Sequence, residues 1–215
     1  MIDIFVKGGF MMYPILLCSV VALGIVIERF VCLHAAEAAG RRFLAEAVGV
    51  GKGPDRARKI GEIARRIPSP VSAIVGAAAD SVGRPEGEKN AAVWSEGRRQ
   101  RRELEGGVAA LGVIAQISPL MGLLGTVIGM IRAFMMIQTL GGQVEATHLA
   151  GGIWEALITT AAGLSVAIPA LIFHHYFEGR IGRIQAAIAD SAAAFPDIMG
   201  GCRLGSGGPE KRAED

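Results

Sequence analysis

Gly107-Val-Ala-Ala-Leu-Gly-Val-Ile-Ala-Gln-Ile-Ser-Pro-Leu-Met-Gly-Leu-Leu-Gly-Thr-Val-Ile-Gly-Met-Ile131 contains no charged residue, and beyond Arg132 the uncharged sequence continues to Val144. A second apolar segment, Ala156 to His174, follows the single carboxylate Glu155. Each is long enough to cross a bilayer core as helix, which takes roughly 20 residues. Both are predicted to be membrane-spanning helices.

Their small residues fall on faces. At ~100° per residue, Ala115, Ser118, Gly122, Gly125, Thr126, Gly129 and Ala133 lie within about a 100° arc. A stripe of this kind, with its Gly125-x-x-x-Gly129 spacing, lets another helix backbone come close, as packing inside a membrane requires. In the later segment Leu157, Ile158, Ala161, Leu164, Ser165, Ile168, Leu171 and Ile172 share one half of the wheel. That half is large and suited to lipid. Glu155, Thr159, Thr160, Ala162, Gly163, Ala167, Pro169 and Ala170 share the other half, expected to face protein or a pore.

A third uncharged run, Gly8 to Ile27, precedes both. Asp3 offsets Lys7 and no small-x-small pattern stands before Glu28, so the run reads as a retained helix rather than a signal peptide. Glu28-Arg29 is expected to end it, with Tyr13 at the opposite interface. Large residues on every side place this helix outermost, against lipid.

Between the spans, residues 34–105 carry 14 Lys/Arg and 10 Asp/Glu. Gly49 to Pro54 and Ile67-Pro-Ser-Pro70 divide this region into short helical pieces. Val71 to Val82 is apolar but too short to span, so it is predicted to be a packed helix. From Glu88 a charged helical pattern is expected to run unbroken into the second span. The segment 138–149 has no Lys or Arg, whereas Arg180, Arg183, Arg203, Lys211 and Arg212 follow the last span. The positive-inside rule then puts the N-terminus and the 138–149 turn outside, with 34–105 and the tail in the cytoplasm. Ile181, Ile184, Ile188, Ser191 and Phe195 continue the last helix as one apolar stripe to about Pro196, and Gly205 to Asp215 is expected to be disordered.

The chain of 215 residues is 51% hydrophobic with a formal net charge of +2. That near-neutral balance, with basic residues set beside membrane helices, speaks against nucleic-acid binding. Cys18, Cys32 and Cys202 are too far apart for a metal site, and their odd number argues against a disulfide framework. No Ser/His pair, paired Asp or His-Glu-x-x-His motif lies in the spans, so no enzyme, cofactor or metal is expected.

Pro119-Leu-Met-Gly-Leu-Leu-Gly-Thr-Val-Ile-Gly-Met-Ile-Arg-Ala-Phe134 resembles the second-helix signature of the MotA/TolQ/ExbB proton-channel family. Ile153-Trp-Glu-Ala-Leu-Ile-Thr-Thr-Ala-Ala-Gly-Leu-Ser-Val-Ala-Ile-Pro-Ala170 resembles its third-helix signature, and Glu28-Arg29-Phe30 the charged end of its first helix. Chain length and the large first cytoplasmic loop favour the ExbB/TolQ-like branch. The resemblance implies an all-α membrane protein with three transmembrane helices, the second and third extended into the cytoplasm as a helical bundle. It further implies a bacterial inner-membrane homopentamer enclosing a single-span partner like ExbD or TolR, with a TonB- or TolA-like transducer beyond. By motif alignment Thr126 and Thr160 match the pore-facing threonines and Glu155 the third-helix glutamate. Arg132 falls where the family varies and takes no role from it.

The expected pathway thus comprises Thr126, Glu155, Thr159 and Thr160, with Gly122, Gly125, Gly129, Gly163 and Pro169 as helix-packing positions. His174, His175 and Trp154 read as interfacial anchors. The expected organisation is residues 1–33 (outer N-terminus and first span), 34–105 (cytoplasmic), 106–178 (second and third spans) and 179–215 (cytoplasmic helix and tail). Two functions stay open: a proton-driven motor subunit coupling the proton motive force to outer-membrane transport or envelope work, and a structural scaffold that gathers a partner's helix. The energised process also stays open among nutrient uptake, envelope integrity and motility.

Overall fold

The computed structural model describes residues 9–139 and 146–199, with the side chains of 146–149 and 192–193 left aside. Every regular element among the described residues is helical: α1 (Met12–Val48), α2 (Arg56–Arg66), α3 (Pro70–Ala79), α4 (Glu86–Glu105), α5 (Val108–Thr139), α6 (Ala146–Ala194) and α7 (Pro196–Met199). Three helical stretches, within α1, α5 and α6, are long and apolar enough to cross a membrane. The helices group into two compact units. One holds the residues up to Arg29 with Gly107–Phe177, the other Phe30–Gly106 with the residues from Glu178 on.

In the first unit α5 and α6 run antiparallel along a seam of small residues. Ala115, Ser118, Gly122, Gly125, Gly129 and Ala133 of α5 are buried, as are Ala156, Thr159, Gly163, Ala167 and Ala170 of α6. The predicted α5 stripe therefore faces α6 of the same chain. The approach is backbone to backbone. A methyl group on Gly122 would stand 3.0 Å from the Thr159 carbonyl oxygen and from the Thr160 Cα, and one on Gly129 would stand 3.1 Å from the Gly152 carbonyl oxygen. The outward faces carry the large residues: Leu120 is 62% exposed, Leu123 58%, Leu157 61% and Ile172 62%. Such a surface suits lipid, which as a solvent favours leucine on the outside and small residues at the seam. Within the apolar stretch of α1, Leu16, Leu17, Val20, Leu23 and Ile27 are likewise exposed, and only Met12, Ile15, Ala22 and Arg29 are buried there.

The second unit has an ordinary hydrophobic core built from Leu33, Phe43, Ile60, Val71, Ile74, Val75, Val93, Ile184, Phe195 and Ile198. Helix α3 is its most buried element and matches the packed helix predicted from 71–82. It starts at a reciprocal cap: the Ser72 amide donates to Ser69 Oγ at 3.0 Å, while the Ser69 amide donates to Ser72 Oγ at 2.7 Å. Pro70 at the first helical turn costs no hydrogen bond there. The stripe Ile181, Ile184, Ile188, Ser191 and Phe195 is buried as expected, and α6 ends at Ala194 before Pro196. Arg180 donates to Glu37 and to His34, and Arg56 donates to Asp197 while stacking 5.5 Å over the Phe195 ring. The Arg56 guanidinium holds the Asp197 carboxyl below the usual aspartate range.

Three boundaries differ from the sequence reading. Helix α1 does not stop at Glu28-Arg29 but continues to Val48. The charges end the apolar stretch, while the alanine-rich sequence beyond remains a good helix former and buries Leu33, Phe43 and Ala47. Helix α4 does not run unbroken into α5. Gly107, at a φ of +74°, interrupts it, and a Cβ there would lie 3.3 Å from Ile25. Gln138 and Thr139 remain in α5 and α6 begins at Ala146, both within the stretch predicted as a turn over 138–149, and residues 140–145 lie outside the described residues. The disordered tail expected from Gly205 lies outside them too.

Candidate functional site

The seam carries few polar groups, and each has a defined partner. Thr126 Oγ1 donates to the Leu123 carbonyl at 2.6 Å, Thr159 Oγ1 to the Glu155 carbonyl at 2.7 Å, and Ser118 Oγ to the Ile114 carbonyl at 2.8 Å. These bonds to a helix's own backbone spare a hydroxyl the cost of standing bare in an apolar setting. Thr160 is different. Its Oγ1 donates across the seam to the Gly122 carbonyl at 3.1 Å, which ties α6 to α5. Gly122 permits this by having no side chain.

Glu155 sits toward the Ala146 end of α6, with its side chain 28% exposed. Its Oε1 accepts from Arg132 Nη1 of α5 at 3.2 Å, and the Arg132 side chain is 57% exposed. Thr159 lies one helical turn further along α6 and is almost completely buried. Its side chain packs on Gly125, where a Cβ would stand 2.8 Å from the Thr159 Cβ. A small cavity of about 80 Å³ opens between these groups, lined by Phe10, Met11, Gly125, Ile128, Arg132, Glu155 and Thr159. Gly9, in the left-handed region at a φ of +68°, brings the backbone so close to the Glu155 carboxylate that any side chain there would collide with it.

At the other end of the seam the His174 ring packs on Gly112, and its Nδ1 lies 3.0 Å from the Val108 carbonyl oxygen. His174 is thus half-buried in the helix pair, more than the interfacial anchor the sequence suggested. Trp154 is 55% exposed, as an anchor would be. Pro169 stands inside α6 with an exposed ring, away from α5, and borders a second cavity of about 170 Å³ shared with Ser19, Ala22 and Leu23 of α1.

The structure therefore brings together Glu155, Thr159, Thr160, Gly122, Gly125, Gly129 and Gly163. Thr126 is half-exposed on the rim of the stripe, and Pro169 lies apart. Sequence reasoning gave Arg132 no role. The signal was present: a cation within an apolar span needs a partner. In an antiparallel pair where Gly129 meets Ala156, residue 132 stands opposite residue 153, within one helical turn of Glu155.

Residues 68–190 match the family described as the MotA/TolQ/ExbB proton channel family. The chain belongs to that family. It is therefore a multi-pass membrane protein of membrane-channel type, in the ExbB/TolQ-like branch. It is 29% identical over 168 residues to biopolymer transport protein exbB1 of Vibrio cholerae, covering 76% of this chain and 72% of that protein. It is 37% identical over 189 residues to a putative biopolymer transport protein ExbB-like 1 of Synechocystis, covering 80% of this chain and 68% of that protein. The Tol-Pal system protein TolQ of Haemophilus influenzae is 39% identical over 103 residues, or 47% of this chain and 44% of that one.

Proposed function

We propose that this chain is the channel-forming subunit of a proton-driven motor in the bacterial inner membrane. Several copies, five by family resemblance, surround a single-span partner like ExbD or TolR. Proton flow through the ring drives an envelope or outer-membrane process through a TonB- or TolA-like transducer. The N-terminus and the 140–145 connection face outward, and the second unit lies in the cytoplasm. Glu155, Thr159, Thr160 and Thr126 line the polar path. The observation that carries this reading is the polar run Glu155, Thr159 and Thr160 on α6, laid against a glycine-lined α5 in an otherwise apolar helix pair. A charge at that depth is retained where it serves an ion path or meets a partner.

A second reading, a scaffold for a partner's helix without conduction, is favoured by one observation: all three threonine hydroxyls already donate to backbone carbonyls. Reconstitution separates the two. The chain purified with its single-span partner is placed in liposomes under a pH gradient, beside the chain alone. The motor reading expects flux with the partner, little without it, and loss of flux in Thr160→Val, which keeps shape and removes the hydroxyl. Flux absent from the intact pair, or unaffected by both Thr160→Val and Glu155→Gln, would leave only the scaffold.

A further inference from the structure

Glu155 is the only carboxylate in the α5–α6 seam among the described residues, and its charge is met by a cation of the same chain. The contact joins Nη1 to a single carboxylate oxygen, and Arg132 has no other hydrogen-bond partner among the described residues. Beside the pair lies a cavity of about 80 Å³, large enough to hold water and lined in part by Thr159.

We propose that Arg132 is a specificity-determining residue, which makes the Glu155 station refuse alkali cations. This rests on the channel reading given above. A proton passes by transfer between water and a carboxyl oxygen and needs no vacant coordination shell. A sodium ion must shed water and gain both oxygen ligands and negative potential in exchange. Here a ligand is present in part, as the Glu155 carboxylate. The negative potential is not, because a guanidinium 3.2 Å from the carboxylate cancels it. Arginine suits this task. It keeps its charge under all conditions, and its planar fork leaves further donors to order the cavity water. Family resemblance assigns nothing to this position, so the inference concerns this chain in particular.

The test is sodium binding to the purified full chain in detergent, read by sodium NMR line broadening. Wild type is expected to show no broadening that Glu155→Gln removes. Arg132→Gln should gain sodium affinity by at least about tenfold, since one positive charge leaves the first contact distance. The gain should vanish in the Arg132→Gln/Glu155→Gln double variant, and Arg132→Lys should behave as wild type. Sodium binding by wild type that depends on Glu155 would overturn the proposal without recourse to any Arg132 variant. So would an Arg132→Gln chain of unchanged oligomer mass that binds sodium no better. Flux measured on the chain with its partner adds a separate arm. Wild type should carry protons unhindered by sodium, and Arg132→Gln should be slowed by sodium. A wild-type complex that carries no protons refutes the channel reading, while the binding measurements decide the role of Arg132 by themselves.

Discussion

Replacing Gly163 by alanine adds one methyl group at the closest approach of α5 and α6. That methyl would stand 2.5 Å from the Ser118 carbonyl oxygen, 3.2 Å from the Gly122 Cα and 3.3 Å from the Gly122 nitrogen. All three are backbone atoms of a continuous helix, so no side chain can swing aside. Relief requires the two helices to separate by about 1 Å, the shortfall from an ordinary van der Waals distance. The same movement would stretch the 3.1 Å bond from Thr160 Oγ1 to the Gly122 carbonyl beyond hydrogen-bonding range. Overpacking of this kind costs about 1–3 kcal/mol, and the lost hydrogen bond adds about 1 kcal/mol. Alanine's better helix propensity returns about 1 kcal/mol. The net destabilisation is on the order of 1–3 kcal/mol, or several degrees in Tm for a chain of this size. Gly24 supplies the control. It lies in α1 with nothing within 4 Å of a Cβ, so Gly24→Ala should be neutral or slightly stabilising. Both variants are purified in the same detergent and melted by circular dichroism. A Gly163→Ala chain as stable as Gly24→Ala would refute the seam as the contact that holds α5 to α6.

Two further predictions follow from charge. Asp197 has its carboxyl held below the ordinary aspartate value by Arg56, so its contribution is present above that value and is lost as pH falls through the depressed one. Acid melts of wild type and Asp197→Asn should therefore diverge at neutral pH and converge in strong acid; parallel curves throughout would show that the pair contributes nothing. The Lys/Arg distribution expects a cysteine at Gln143 to react with an impermeant thiol reagent added from outside the cell, and one at Lys52 to stay protected. The reverse pattern would invert the proposed orientation.

Much of the membrane unit is legible in the sequence because its two signals are one-dimensional. Absence of charge over 107–131 marks the span, and the recurrence of small residues from Ala115 to Ala133 marks the contact face. What covers that face is less legible. A small stripe reads the same whether a neighbouring subunit or the next helix fills it, and the choice emerges only from Gly122 against Thr159 and Gly163 against Ser118. Helix ends are harder again. Glu28-Arg29 reads as a terminus because charge ends an apolar run, yet charge stops a membrane span without stopping a helix. At Gly106-Gly107 the reverse holds: a break occurs where only a glycine pair marks it, inside an otherwise continuous helical pattern. The Arg132–Glu155 pair is hardest, because 23 residues and a reversal of chain direction separate its members. It becomes readable once the antiparallel register of α5 and α6 is known.

That register also bears on how a proton could cross. Among the described residues, Glu155 and His174 are the titratable groups of the α6 face that packs on α5, and 19 residues of helix part them, about 28 Å at 1.5 Å per residue. This is close to the whole hydrocarbon thickness of a bilayer. Between them stand Thr159, Thr160, Ser118 and Thr126, whose hydroxyls can orient water but do not titrate near neutral pH. Each already spends its hydrogen on a backbone carbonyl, so a proton relay along this line would first have to break a bond. A path built from this chain alone would thus have a station at each end and nothing ionisable in the middle. The proposed channel reading accordingly demands a second carboxylate from another chain, set at the level of Thr160. The same glycine seam that lets α5 and α6 meet so closely leaves no space between them for it. The supplying segment must therefore lie beside the pair, on the side where Thr126 is half-exposed, rather than within it.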